Sequence, residues 1–159
     1  MIGTAISRDL ILQKTVETRK NVMLAISSDV EDHKTVRGIL DGSEWHALAC
    51  KTYGQARPLL REASAVLCEQ NLPDGDWKRV LRELQNMLDP QRLLVMSRLA
   101  DSQLWAEVLN LGGYDVLAKP LRAQELLWTI ATIPRSPSAP NRIEKDYLLS
   151  DKEGKRCSH

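Results

Sequence analysis

Two rhythms alternate along this chain, short apolar runs and apolar positions three or four residues apart. Their succession predicts five strands and five helices. Residues 22–26 (VMLAI) form an apolar run that fits a strand buried on both faces. Ser28 or Asp29 then offers a side-chain oxygen to a helix N-terminus. Val30, His33, Val36, Ile39 and Leu40 follow at helical spacing, and Gly42 suits the helix end. Residues 45–50 (WHALAC) predict a second strand. Thr52 caps a helix carrying Ala56, Leu59, Leu60 and Ala63, with Pro58 delaying or kinking it. Residues 65–68 (AVLC) are the third strand, tipped by Glu69 and followed by the turn NLPDGD. A helix over 76–88 carries Val80, Leu81, Leu84, Met87 and Leu88 and ends at Asp89-Pro90. Residues 92–97 (RLLVMS) are the fourth strand. Asp101 or Ser102 opens a helix with Leu104, Trp105, Val108, Leu109 and Leu111, stopped by Gly112-Gly113. Residues 114–118 (YDVLA) are the fifth strand, and a last helix runs over about 122–133 with Leu126, Leu127 and Ile130 inward.

Strand and helix alternating at this spacing imply a parallel sheet with helices on both faces and right-handed crossovers. The expected fold is α/β, a flavodoxin-like (βα)5 three-layer sandwich with strand order 2-1-3-4-5. Residues 1–20 read as a polar N-terminal extension, with a helix near 8–18 placing Leu10, Ile11, Leu12 and Val16. Residues 21–134 make the domain. From 135 the chain reads RSPSAPN, a linker, and then a polar C-terminal tail to 159, too short for an output domain.

Composition narrows the function classes. In 159 residues, 43% are hydrophobic and 27% charged, enough for one domain with a real core. The net charge of +1 argues against a chain built for phosphate backbones, and no helix-turn-helix pattern follows the linker, so no nucleic acid is expected. Cys50, Cys68 and Cys157 are odd in number and widely spaced, which suits a reducing compartment. The N-terminus lacks a signal-peptide pattern, and no apolar run approaches the roughly 20 residues that span a bilayer. The expectation is a cytoplasmic protein with no membrane contact.

Crevices of open α/β sheets form outside the carboxyl ends of the strands. Glu69 stands at such an end. Other chemistry is weaker. His33, His46 and His159 have no zinc spacing. Cys68 lacks a basic neighbour in sequence and reads as packing. Asp74–Asp76 is a turn without the later ligands of a calcium loop. Trp105 and Trp128 read as core or interface packing.

Three segments, EQNLPDGD around Glu69, LLVMS ending at Ser97, and GGYDVLAKP ending beyond Lys119, resemble response-regulator receiver domains over about 21–133. The resemblance implies that Glu69 stands where receivers keep the phosphoryl-accepting aspartate. Ser27 and Ser28 stand where they keep the acidic pair that holds a divalent metal. Ser97 and Lys119 match the groups that read the phosphorylated state. Arg98 replaces the usual small residue and could cover the pocket, pairing with Glu69 or Asp74, or equally point to solvent, as most arginines do. Trp77 replaces a glycine. Val116 replaces the switch aromatic, with Tyr114 two residues earlier on the same strand face. Neutral hydroxyls hold Mg²⁺ poorly. The resemblance, with these departures, implies a pseudo-receiver of two-component signalling. It would be no enzyme, would take no magnesium cofactor, and would act through a protein partner. That partner would be a histidine kinase, an output protein or a second copy. The usual partner face of the family would include Trp105, Leu109, Tyr114 and Arg122, and Asp29 would cap a helix. Glu69, longer than aspartate, would pair with Lys119 and hold both it and Ser97 in an active-like arrangement. The alternatives are an ordinary strand-end ion pair at Glu69; a phosphorylatable receiver using Asp29 and Asp74 around a metal with Glu69 as acceptor; and a flavodoxin-like small-molecule binder, for which no phosphate loop is present.

Overall fold

The computed structural model describes residues 21–133. The expected helix near 8–18, the linker and the C-terminal tail lie outside the described residues. Five parallel strands form the sheet. They are β1 (Asn21–Ile26), β2 (Trp45–Cys50), β3 (Ala65–Glu69), β4 (Arg92–Ser97) and β5 (Asp115–Ala118), in the order β2-β1-β3-β4-β5. The helices are α1 (Val30–Leu40), α2 (Tyr53–Ala56), α3 (Trp77–Gln85), α4 (Ser102–Leu111) and α5 (Ala123–Ala131). This is the flavodoxin-like α/β fold that the alternation predicts.

Strand period 2 sorts the core into two halves. Leu24, Ile26, Cys50, Val66, Cys68 and Val95 point to the side of α2, α3 and α4, where Trp77, Val80, Leu84, Leu104 and Val108 meet them. Met23, Ala25, Ala65, Leu67, Leu94, Met96 and Leu117 point to the side of α1 and α5, against Val36, Leu40, Leu126 and Ile130. The central strands are buried on both faces, so they read as unbroken apolar runs. Trp77 is buried among the α3 and α4 side chains, so it anchors the start of α3 in the core.

Helix starts follow the sequence closely. Asp29, Thr52, Asp76 and Asp101 are the N-caps of α1 to α4, and each carboxylate or hydroxyl accepts from backbone N–H groups of the first turn. Two helices are shorter than the periodicity suggests. Pro58 cannot donate in a helix interior, and α2 stops at Ala56, with a 3₁₀ turn over Arg57–Leu59. α3 ends at Gln85, three residues before Leu88, which is fully exposed. Gly112 closes α4 in the left-handed region at φ 108°, and a Cβ on Gly113 would run into Val108.

Between β3 and α3 the NLPDGD turn makes a minimal antiparallel ribbon, Asn71–Leu72 with Gly75–Asp76. Among the described residues no helix is long and apolar enough to cross a membrane.

Candidate functional site

Parity decides which strand-end groups meet. Ser27 continues the alternation of Met23 and Ala25, Glu69 that of Ala65 and Leu67, and Lys119 that of Leu117. All three therefore reach the α1 and α5 side of the sheet's carboxyl edge. There a fourth group joins them. Side chains of a helix tilt toward its N-terminus, so Asp32, in the first turn of α1, leans back over the end of β1.

These four groups form one closed network. Lys119 Nζ donates to Asp32 Oδ2 at 2.7 Å and to Glu69 Oε1 at 2.9 Å. The Ser27 hydroxyl lies 2.6 Å from Asp32 Oδ2 and 3.0 Å from Glu69 Oε2, and accepts from the Asp29 N–H at 3.1 Å. One hydroxyl proton serves one carboxylate at a time, and the shorter bond goes to Asp32. Ser27 is buried; the side chains of Lys119, Asp32 and Glu69 are 6%, 13% and 23% exposed. Burial works against the charged form of Lys119. The hydrogen bonds and negative charges of Asp32 and Glu69 outweigh it and hold the ammonium's pKa above its ordinary value. Two carboxylates and one ammonium leave the network a formal charge of −1.

Ser28 has the opposite parity to Ser27. It is exposed and stands outside the network, contrary to its expected place in the pocket. Arg98 takes the solvent-facing course of its two expected ones. It reaches neither Glu69 nor Asp74; its exposed guanidinium lies 3.9 Å from Asp29 Oδ2. Asp74 is committed elsewhere. Its carboxylate accepts from the N–H groups of Tyr53 and Gly54, both at 2.9 Å, which sews the NLPDGD turn to the start of α2. Those bonds hold its pKa below the usual carboxylate range.

Ser97 alternates with Leu93 and Val95, so it reaches the opposite side of the sheet from Glu69. Its hydroxyl donates to Gln70 Oε1 at 2.7 Å and accepts from the Leu99 N–H at 3.1 Å. The active-like arrangement of Ser97 and Lys119 around Glu69 is thus only half present, with Lys119 engaged and Ser97 turned away.

Tyr114 is at the other end of the sheet. Its N–H bonds Leu93 O at the start of β4, and its hydroxyl meets Thr132 at the end of α5, 2.7 Å from Oγ1. The same-face spacing on β5 is right, but the residue sits far from the pocket and is no switch aromatic. Of the expected partner face, Trp105 is 50% exposed, Leu109 half-buried and Arg122 exposed. Leu111 and Trp128 add to it, Trp128 at 73% exposure, and so does Leu127, which is exposed and not inward as its spacing predicts; Thr129 takes the inner face with Leu126 and Ile130. Cys68 is buried, its thiol pushed far up by burial and by the charge of Glu69, so it is packing and no nucleophile.

The resemblance alone missed Asp32. Its signal was present as an acidic residue three positions past the Asp29 cap. First-turn acids usually complement the helix dipole, which is why it reads as unremarkable. Among the described residues, no three His, Cys, Asp or Glu side chains are grouped to hold a metal ion. The Lys119 ammonium sits on one oxygen each of Asp32 and Glu69, the two carboxylates of the pocket.

Comparison with known proteins agrees with this architecture. No protein-family profile matches the chain. The chain is 33% identical over 107 residues to the "Probable transcriptional regulatory protein y4xI" of Sinorhizobium fredii; the match takes in 66% of this chain and 47% of that protein. The chain thus spans about half the length of the curated relative it matches. Among solved structures it is similar to the signal receiver domain of an HD domain-containing protein from Pseudomonas fluorescens. That pair has a TM-score of 0.67 at 21% identity, covering 79% of this chain and 94% of the other. The non-phosphorylated HemR receiver domain of Leptospira biflexa gives 0.65 at 20% identity, covering 74% and 98%. The CheX–CheY–BeF3–Mg complex of Borrelia burgdorferi gives 0.65 at 17% identity, covering 71% and 88%. The fold is that of response-regulator receiver domains.

Proposed function

We propose that this chain is a signal-transduction module of receiver type whose pocket is closed by its own residues and which acts by binding another protein, not by catalysis. The observation that carries the reading is Lys119 Nζ, seated between Asp32 and Glu69 with Ser27 beneath them. Phosphoryl transfer to a carboxylate needs a free carboxylate oxygen and a divalent cation to neutralise developing charge. Here one oxygen of the acceptor-position carboxylate is already held by the Lys119 ammonium, and the other lies 3.0 Å from the Ser27 hydroxyl. An internal ammonium supplies the positive charge, and the position of the family's acidic pair holds a buried hydroxyl and an exposed one. Asp74, the other candidate metal ligand, is bound to backbone N–H groups of α2.

The surface of α4, β5 and α5 supports the protein-binding role. Trp105, Leu111, Leu127 and Trp128 are exposed large apolar side chains on its two helices. Aromatic anchors of this kind dominate interface energetics. Receivers with that fold engage proteins, as the CheX–CheY complex does.

The test is incubation of the full chain with a small acyl phosphate donor and Mg²⁺, read by intact mass. No phosphoryl adduct on Glu69 is expected under conditions that label an active receiver. An adduct at Glu69, abolished by Glu69→Gln, would overturn the reading. A parallel pull-down with Trp105→Ala and Trp128→Ala variants should lose partner or self-association without loss of folding.

A further inference from the structure

We propose that Gln70 is a latch, holding Ser97 away from the acidic pocket and thereby uncoupling that pocket from the loop and helix that carry Trp105. The two sides of the sheet's carboxyl edge share one backbone bond, Lys119 N–H to Ser97 O at 2.9 Å, but their side-chain networks are separate. On one side Glu69 is tied to Lys119 and Ser27. On the other, Ser97 is buried and spends its single hydroxyl proton on Gln70 Oε1 at 2.7 Å. Its oxygen also accepts the Leu99 N–H, so Ser97 sets the first turn of the β4–α4 loop.

Gln70 is well placed to hold it. Its N–H donates to Met96 O at 2.9 Å, and its carbonyl accepts from Trp77 N–H at 3.2 Å. The side chain that grips Ser97 therefore stands on a backbone fixed to β4 and to the start of α3. Turning Ser97 toward Glu69 would break two hydrogen bonds to make one, with a carboxylate already paired to Lys119. The loop it would drag along ends in the Asp101 cap of α4, and it exposes Leu99 at 79%. A partner that takes hold of this loop works on the Ser97–Gln70 bond directly and need not disturb the Lys119 ammonium and its two carboxylates. This inference does not rest on the pocket's refusal of phosphate; it concerns only whether the pocket and α4 communicate.

Amide hydrogen exchange on the full chain tests it, with Glu69→Gln, Gln70→Ala, Gln70→Leu and each Gln70 change combined with Glu69→Gln. With Gln70 present, Glu69→Gln should leave exchange from Leu99 to Trp105 unchanged within about twofold. Either Gln70 change should speed the Leu99 amide about tenfold, the fold-change of one lost hydrogen bond. In either Gln70 background, Glu69→Gln should now alter exchange in that segment. If Glu69→Gln alters it equally with and without Gln70, or if the Gln70 changes leave Leu99 as it was, the latch is refuted. Ser97→Ala covers a failure of the Gln70 variants to fold. It should release Leu99 by a similar factor while exchange at Asp29, whose N–H is held by Ser27 in the pocket, stays constant, and equal movement at both would refute the uncoupling.

Discussion

Replacing Lys119 by Met probes the network at its centre. The side chain is 6% exposed and is the cation for two carboxylates, at 2.7 and 2.9 Å. Methionine fills similar volume but leaves Asp32 and Glu69 facing each other across one Ser27 proton. Removing one partner of a buried ion pair costs about 3–5 kcal/mol, because the remaining charge stays buried and uncompensated. Glu69, at 23% exposure, draws in some water, which places the cost near the low end, about 3 kcal/mol. For a domain of this size that is a drop in Tm of roughly 10 °C. Urea unfolding followed by tryptophan fluorescence, with Trp77 as the buried reporter, measures it. Adding Glu69→Gln to Lys119→Met removes one stranded charge and should recover about 1 kcal/mol. A loss below about 0.5 kcal/mol, the size of a surface pair, would refute the reasoning. So would a double variant less stable than the single.

The same network sets a pH dependence. The folded-state pKa of Lys119 lies above its ordinary value because Asp32 and Glu69 outweigh burial. Its stabilisation is therefore whole below the ordinary lysine pKa of about 10.4 and fades only as pH rises through the folded value. The stability gap between the parent and Lys119→Met should stay level from neutral pH to about 9.5 and narrow above it; a gap that narrows between pH about 7 and 9 contradicts this assignment.

Other outcomes follow from single contacts. Asp74→Asn should loosen the NLPDGD turn and raise amide exchange at Tyr53 and Gly54. Because the Asp74 pKa is depressed, the parent should show the same loosening only as pH falls below the ordinary carboxylate range, about 4. Cys68 should resist alkylation in the folded chain at mildly alkaline pH, with a rate that follows global unfolding; rapid labelling under native conditions would contradict its buried, raised-pKa state. Trp128→Ala should change stability by less than about 0.5 kcal/mol, as surface substitutions do, while abolishing association measured by sedimentation or pull-down.

Much of the fold is written in local rules. The apolar runs at 22–26, 65–68 and 92–97 have to be buried on both faces, and the acids or hydroxyls at 29, 52, 76 and 101 have to start helices. The site is less legible, for three physical reasons. Asp32 belongs to the pocket only because a helix tilts its side chains backwards, which strand-end matching cannot see. Ser27 and Ser28 look alike in sequence, yet strand parity buries one and exposes the other. Ser97 and Glu69 both end strands, but they alternate with different faces, so Gln70, one residue on, takes the serine. Tyr114 shows the complementary error. Same-face spacing fixed its direction, and its position at the start of β5 put it roughly 16 Å of strand away from Lys119.

Whether a divalent cation can enter this pocket is decided most directly by NMR titration of Mg²⁺, with and without beryllofluoride, into the full chain. A cluster whose two carboxylates already share the Lys119 ammonium should show no saturable shifts at the amides of Ser27, Asp29, Glu69 and Lys119. Saturable shifts at those four amides, deepened by beryllofluoride, would contradict it.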